Sequence, residues 1–161
     1  MRKILVLASL LAAPADPQLE PPPAPKRRAL KQDPRPAQLR NFFEAYGCPL
    51  RTFTDVFIQE ADDNALDWRL LPSISFVESS GGKYALNNNV FGWDSCRTKF
   101  PSVRTGIHVV ADALGKSTMY KDKRLDDVLK LYNPRPEYRV RVKQVMRSIG
   151  PAYRPFGASL N

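Results

Sequence analysis

Apolar residues recur along this chain at the three- and four-residue spacing of a single helix face. Leu39, Phe42, Phe43 and Tyr46 stand at i, i+3, i+4 and i+7, and Gly47 with Pro49 then end the run. Phe53, Val56, Phe57 and Ala61 form a second segment. A third runs from about Arg69 to Ser79, where Leu71, Ile74 and Glu78 share one face. Pro72 fits this third helix only near its start, where a missing N–H costs no helical bond. Ile107, Val110, Ala111 and Leu114 predict a fourth helix; Leu125, Val128, Leu129 and Tyr132 a fifth; Val142, Val145, Met146 and Ile149 a sixth, closed by Gly150 and Pro151. None is long enough for a coiled coil. Between the third and fourth, Gly81 to Pro101 is rich in Gly, Asn and Ser, contains the apolar "VFGW" and lacks a helical period. It reads as a long loop with room for a short hairpin. Some twenty irregular residues are uncommon in a compact domain unless they have a task. The expected class is therefore mainly α, formally α+β, with about six helices and a small loop or hairpin region after the third.

The two ends of the pattern differ from its middle. "MRKILVLASLLAAPA" has two positive charges, an apolar run from Ile4 to Ala13 and an Ala-Pro-Ala end, the layout of a secretory signal over residues 1–15. Its apolar run is too short to span a bilayer as a lasting anchor. Residues 16–36 read as a Pro-rich basic linker: from Pro14 to Pro36 lie eight of the fifteen prolines, with Lys26, Arg27, Arg28, Lys31 and Arg35 among them. The folded domain is then expected over 37–161. Export to the periplasm or the exterior is the expected fate, with no integral membrane segment after signal removal and a monomer as the state.

Charge narrows the partners. The 161 residues carry 25 Lys and Arg against 16 Asp and Glu, a net +9 that becomes +7 without Arg2 and Lys3. An anionic partner is expected. The basic residues are dispersed, without the aromatic interleaving of a single-strand groove or zinc-finger spacing, so nucleic acid is not expected. Two cysteines, Cys48 and Cys96, in an exported chain predict one disulfide, worth about 3 to 4 kcal/mol for a loop of that length. With His108 they make no clustered ligand set, so no metal is expected. His108 itself falls inside a helical pattern and reads as a partly exposed helix residue.

Candidate chemistry gathers at "SFVESSGG", residues 75–82. Glu78 sits near a helix C-terminus, where the negative end of the helix dipole disfavours an acid. Carried toward a cleft on the apolar side of its helix, a carboxyl group is poorly solvated when ionised, and its pKa rises. A protonated Glu is what glycosidic cleavage needs, since the leaving oxygen must be protonated as an oxocarbenium-like sugar forms. The following loop offers amides at Asn87, Asn88 and Asn89 and flat apolar faces at Phe91 and Trp93.

The string "FVESSGGKYALNNNVFGW" resembles the catalytic signature of the bacterial cell-wall glucosaminidases of glycoside hydrolase family 73, in which a Glu-Ser-Gly helix end precedes an Asn-Asn-x-Phe-Gly loop. The matching residues are Glu78, Ser79, Gly81, Gly82, Asn88, Asn89, Phe91 and Gly92, with Ser80 as an insertion. The chain is also similar to lytic transglycosylases, whose Glu-Ser pair is followed much later by a Tyr-Asn motif, here Tyr132 and Asn133 in "LYNPRPEY". It departs from them in having "FGWDS" where they carry Gly-Leu-Met-Gln, and Pro134 after the Tyr-Asn pair. The resemblance covers roughly residues 50 to 150 and implies a lysozyme-like fold and cleavage of peptidoglycan.

What it implies for the site is specific. Glu78 is the expected general acid in endo-β-N-acetylglucosaminidase-like hydrolysis of β-1,4 bonds in peptidoglycan strands, without a cofactor. Asp94 is either a second catalytic group or a turn residue. Tyr132 either positions the N-acetyl group or completes the Leu125, Val128, Leu129 stripe as core. Trp93 stacks on a sugar or covers the core. Ser79 supports the helix end or touches substrate beside Asn88, Asn89, Phe91, Gly92 and Asn133. The alternatives are a lytic transglycosylase leaving 1,6-anhydromuramyl ends, and a non-catalytic wall-binding protein on the same fold.

Overall fold

A computed structural model of the chain describes residues 33–152. The signal and most of the linker expected from the sequence lie outside them. The described residues form a mainly helical domain with six α-helices: α1 (Arg35–Ala45), α2 (Thr54–Asp63), α3 (Leu70–Ser79), α4 (Val103–Lys116), α5 (Leu125–Tyr132) and α6 (Pro136–Ile149). A 3-10 turn, Pro49–Phe53, joins α1 to α2. All six helical stripes of the sequence become helices because each has an apolar face to bury, and five of them meet a Gly, Pro or Asn at or just after their end, whereas α4 ends at Ser117. Among the described residues there is no strand, and the expected hairpin reduces to one isolated bridge between Leu86 and Asn89.

The fold closes around α3. Leu70, Leu71, Pro72, Ser73, Ile74 and Ser75 are all buried, and a helix apolar nearly all round belongs inside the protein. It packs most extensively on α6 and also on α2; α2 meets α4, and α1 meets α2 and α6. Pro72 stands at the third helical position, where an N–H would lack an intrahelical acceptor anyway. Leu39, Phe43, Phe57, Leu71, Ile74, Ile107, Ala111, Leu114, Leu129 and Val142 are closed to solvent or nearly so. Each large member contributes about 1.5–3 kcal/mol by leaving water. No helix among the described residues is long and apolar enough to cross a membrane.

Two expectations are corrected. The folded region begins before residue 37: Pro34 caps α1, and Arg35 is buried, binding Asp62 at 2.6 and 2.8 Å and Asp33 at 2.7 Å. Three residues assigned to the linker on their proline content therefore open the first helix, where proline is well suited. The disulfide is also absent. Cys48 is a buried free thiol at the start of the 3-10 turn and Cys96 an exposed free thiol in the loop. Cys48 Sγ packs so tightly on Gly81 that a Cβ there would approach it to 2.5 Å. It is held at the root of the loop, while Cys96 belongs to a later turn of it.

Candidate functional site

The loop after α3 is irregular in backbone and closely tied down. Ser80 ends the helix in the left-handed conformation at φ 51°, and Gly81 N–H bonds back to Ser75 O at 3.2 Å. Val90, Phe91 and Phe100 then turn inward and join the core. Asn89 is 3% exposed; its amide donates to Trp93 O at 2.9 Å and Thr98 O at 3.0 Å and accepts from Trp93 N–H at 2.9 Å. Asn88 donates to Phe100 O at 2.9 Å. Irregular backbone has no ladder of its own, so side-chain amides take over the pairing.

This wedge presses Gly92 onto Glu78. At φ +62° a Cβ on Gly92 would lie 2.7 Å from Glu78 Oε2, a distance only glycine permits. On another side, the Tyr132 hydroxyl donates to Phe91 O at 2.7 Å, fixing the loop to the end of α5. Tyr138, on α6, stacks on Tyr132 with ring centres 6.0 Å apart and planes 8° off parallel. The Tyr138 hydroxyl is buried, with no partner of ordinary hydrogen-bond geometry among the described residues. It still comes close enough to the Glu78 carboxylate to favour its charge, which makes the contact a weak one.

Glu78 is an exposed residue that opens to the cleft, and protein crowds its carboxyl on the Gly92 and Tyr138 sides. Desolvation pushes its pKa above the ordinary 4.5, and the Tyr138 hydroxyl offsets part of that rise. Burial first, and the Glu78 charge second, push the Tyr132 and Tyr138 hydroxyls well up, so both stay protonated donors. The arrangement is an acid held toward its neutral form among neutral hydroxyls.

Two clefts meet at this carboxyl. The larger, about 830 Å³, has Glu78, Tyr132 and Asn133 on its floor, with Trp93, Tyr120 and the turn Gly92–Cys96 around it. The smaller, about 370 Å³, shares Glu78 and Asn133 and is bounded by Val77, Arg135, Glu137, Tyr138 and Arg141. Trp93 and Tyr132 stand 5.8 Å apart as an aromatic wall. Asp94 lines the larger cleft in a left-handed conformation, φ 50°, and its carboxylate is ion-paired with Arg97. Ser95 and Cys96, at φ 53° and 62°, continue that turn.

Of the residues expected from the sequence, Glu78, Gly92, Trp93, Asp94, Tyr132 and Asn133 therefore come together. Ser79, Asn88, Asn89 and Phe91 do not line either cleft. Ser79 is buried, its hydroxyl within 2.9 Å of Ser75 O and 2.8 Å of Val90 O and accepting from Gly82 N–H at 3.0 Å, so it staples helix to loop. Phe91 is wholly buried against Phe57. These four build the loop, and the cleft is lined by its turn Gly92–Cys96. Tyr132 braces the loop through its hydroxyl and also lines the larger cleft. His108 lines neither cleft and pairs with Glu60 at 3.0 Å.

Tyr120, Tyr138, Arg135 and Arg141 are site residues that sequence reasoning missed. Tyr138 shares the α6 face of Val142 and Val145 and so reads as core, while Tyr120 falls between helices where no period marks it. The one available signal was the second Tyr six residues beyond the Tyr-Asn pair. Among the described residues no group of three His, Cys, Asp or Glu is placed to hold a metal ion. Comparison with protein-family models, curated proteins and solved structures yields no match for this chain.

Proposed function

We propose that this chain cleaves β-1,4 bonds in the N-acetylated glycan strands of peptidoglycan by hydrolysis, with Glu78 as general acid. One observation carries the reading: Glu78, whose pKa is shifted upward, is the one acid among the described residues that lines both clefts. A strand lying through both clefts would have one of its bonds over that group. Glu78 gives its proton to the bridging oxygen as the bond to the anomeric carbon breaks. Water then attacks that carbon and returns a proton to the Glu78 carboxylate. Trp93 and Tyr132 offer apolar faces to sugar rings, and Asn133 offers amide donors and acceptors. The resemblance of the Glu78 to Gly92 stretch to wall glucosaminidases agrees with this assignment, as does the basic charge of the chain near an anionic wall. An exported location follows from the signal-like residues 1–15.

A second outcome of the same protonation has its own support. Among the described residues Asp94 is the only other carboxylate lining the larger cleft, and it is ion-paired with Arg97. Where Asp94 stays in that pair, attack comes either from water assisted by the substrate's acetamido group or from a hydroxyl of the sugar itself, as in lytic transglycosylases. Digested wall separates the two by mass: reducing ends mark hydrolysis, and products lighter by one water mark ring closure. Glu78→Gln is expected to abolish wall clearing while leaving sedimentation with wall intact. Sedimentation without clearing by the parent chain identifies a wall-binding module and ends the enzymatic reading.

A further inference from the structure

The smaller cleft is chemically unlike the larger. Arg135 and Arg141 line it, and Arg141 also lines a third cleft of about 310 Å³ that continues past Val77 to Phe76 and Tyr46. Three arginines elsewhere pair with aspartates: Arg35 with Asp33 and Asp62, Arg69 with Asp67, Arg97 with Asp94. The Arg135 and Arg141 guanidinium groups have no hydrogen-bond or ion-pair partner among the described residues. Among the described residues only Glu137, in the first turn of α6, adds an acid to that rim besides Glu78. A guanidinium is always charged and presents a fork that matches a carboxylate. Beyond Arg141 the half-exposed Tyr46 ring lies 5.0 Å from Phe76 and extends the trench with an apolar face.

We propose that the Arg135/Arg141 cleft is a carboxylate-binding subsite, and that the strand segment lying there carries an acidic substituent such as a peptide stem. The inference rests on the glycan reading above and adds a polarity to it. The Trp93 and Tyr132 side receives sugar faces, and the Arg135 and Arg141 side reads negative charge appended to the sugar. The chain then distinguishes substituted strands from bare ones of the same length.

The test is equilibrium binding with catalysis removed. Glu78→Gln protein is titrated with soluble peptidoglycan strands that keep their peptide stems, and with N-acetylglucosamine oligomers of the same length, which carry no carboxylate. Affinity for substituted strands is expected to be higher and to fall roughly tenfold with Arg135→Gln plus Arg141→Gln, the scale of one charge-assisted hydrogen-bonded pair. Affinity for the uncharged oligomers is expected to stay unchanged in the same variant. Glu137→Gln, which removes a repelling charge, is expected to tighten substituted strands alone. Circular dichroism melts of each variant establish that the fold is intact. Equal affinity for both strand types, or equal loss on both, overturns the subsite. That result leaves wall clearing by the parent chain untouched, whereas failure to clear wall removes the enzymatic reading without altering the binding comparison.

Discussion

Gly92 and Glu78 are made for each other at the level of single atoms. Any Cβ at position 92 meets both a left-handed backbone and the Glu78 carboxyl oxygen 2.7 Å away. Gly92→Ala is therefore expected to cost about 1–2 kcal/mol from backbone conformation. It should also cut wall clearing by about tenfold or more as the acid is displaced. A denaturant midpoint and a turbidity assay read the two effects separately. Glu78 itself trades stability for position. Its folded-state pKa lies above the ordinary 4.5, so in that window the folded chain still holds a proton the unfolded chain has released. Stability thus falls as pH rises from about 4.5 through the raised value, and the loss persists above it. Glu78→Gln is expected to melt at a higher temperature than the parent at neutral pH and at the same temperature once the medium is acidic enough to protonate Glu78 in both states. A pH series of thermal melts checks the sign.

Among the elements, the loop is the least legible in sequence and the most constrained in space. "NNNV" suggested amides turned toward a ligand, yet Asn89 spends its donors on Trp93 O and Thr98 O and its acceptor on Trp93 N–H. Nothing local to the sequence says whether an amide will face solvent or its own backbone; burial of Phe91 next to it decides. Asn89→Ala is expected to destabilise the fold by about 2–3 kcal/mol, since three bonded groups lose their partner. It should loosen the larger cleft along with it, a change that tryptophan fluorescence from Trp93 reports. At the start of α1, Arg35 holds its neighbour Asp33 and reaches Asp62, 27 positions further along the sequence. Arg35→Ala should lower stability by about 2 kcal/mol, measured by urea unfolding, although composition alone had assigned this residue to the linker. The helices themselves were readable because a stripe of apolar residues and a stop signal are local facts.

For the whole molecule, charge placement governs the acid limb of stability. Desolvation pushes Asp33 and Asp67 upward, but hydrogen bonds from Arg35 and Arg69 outweigh it and hold both carboxylates below their ordinary 3.8. Their contribution is complete above about pH 3.8 and is lost as pH falls below that, through the lowered values. Replacing both by Asn is expected to lower stability at neutral pH and to flatten its decline between pH 4 and the acid end, about where carboxylates titrate, as followed by unfolding midpoints. The sequence by itself determined the six helices, their order, the long loop and the acid at the end of α3, because periodicity and punctuation act between neighbouring residues. Tertiary structure alone decided that Gly92 touches Glu78, that the two thiols stay apart, that Tyr132 reaches Phe91 across 41 positions and that Arg135 and Arg141 border the acid's second cleft. Those facts depend on the path of an irregular loop and on how helices far apart in the chain pack together, and such contacts leave no repeat in the sequence.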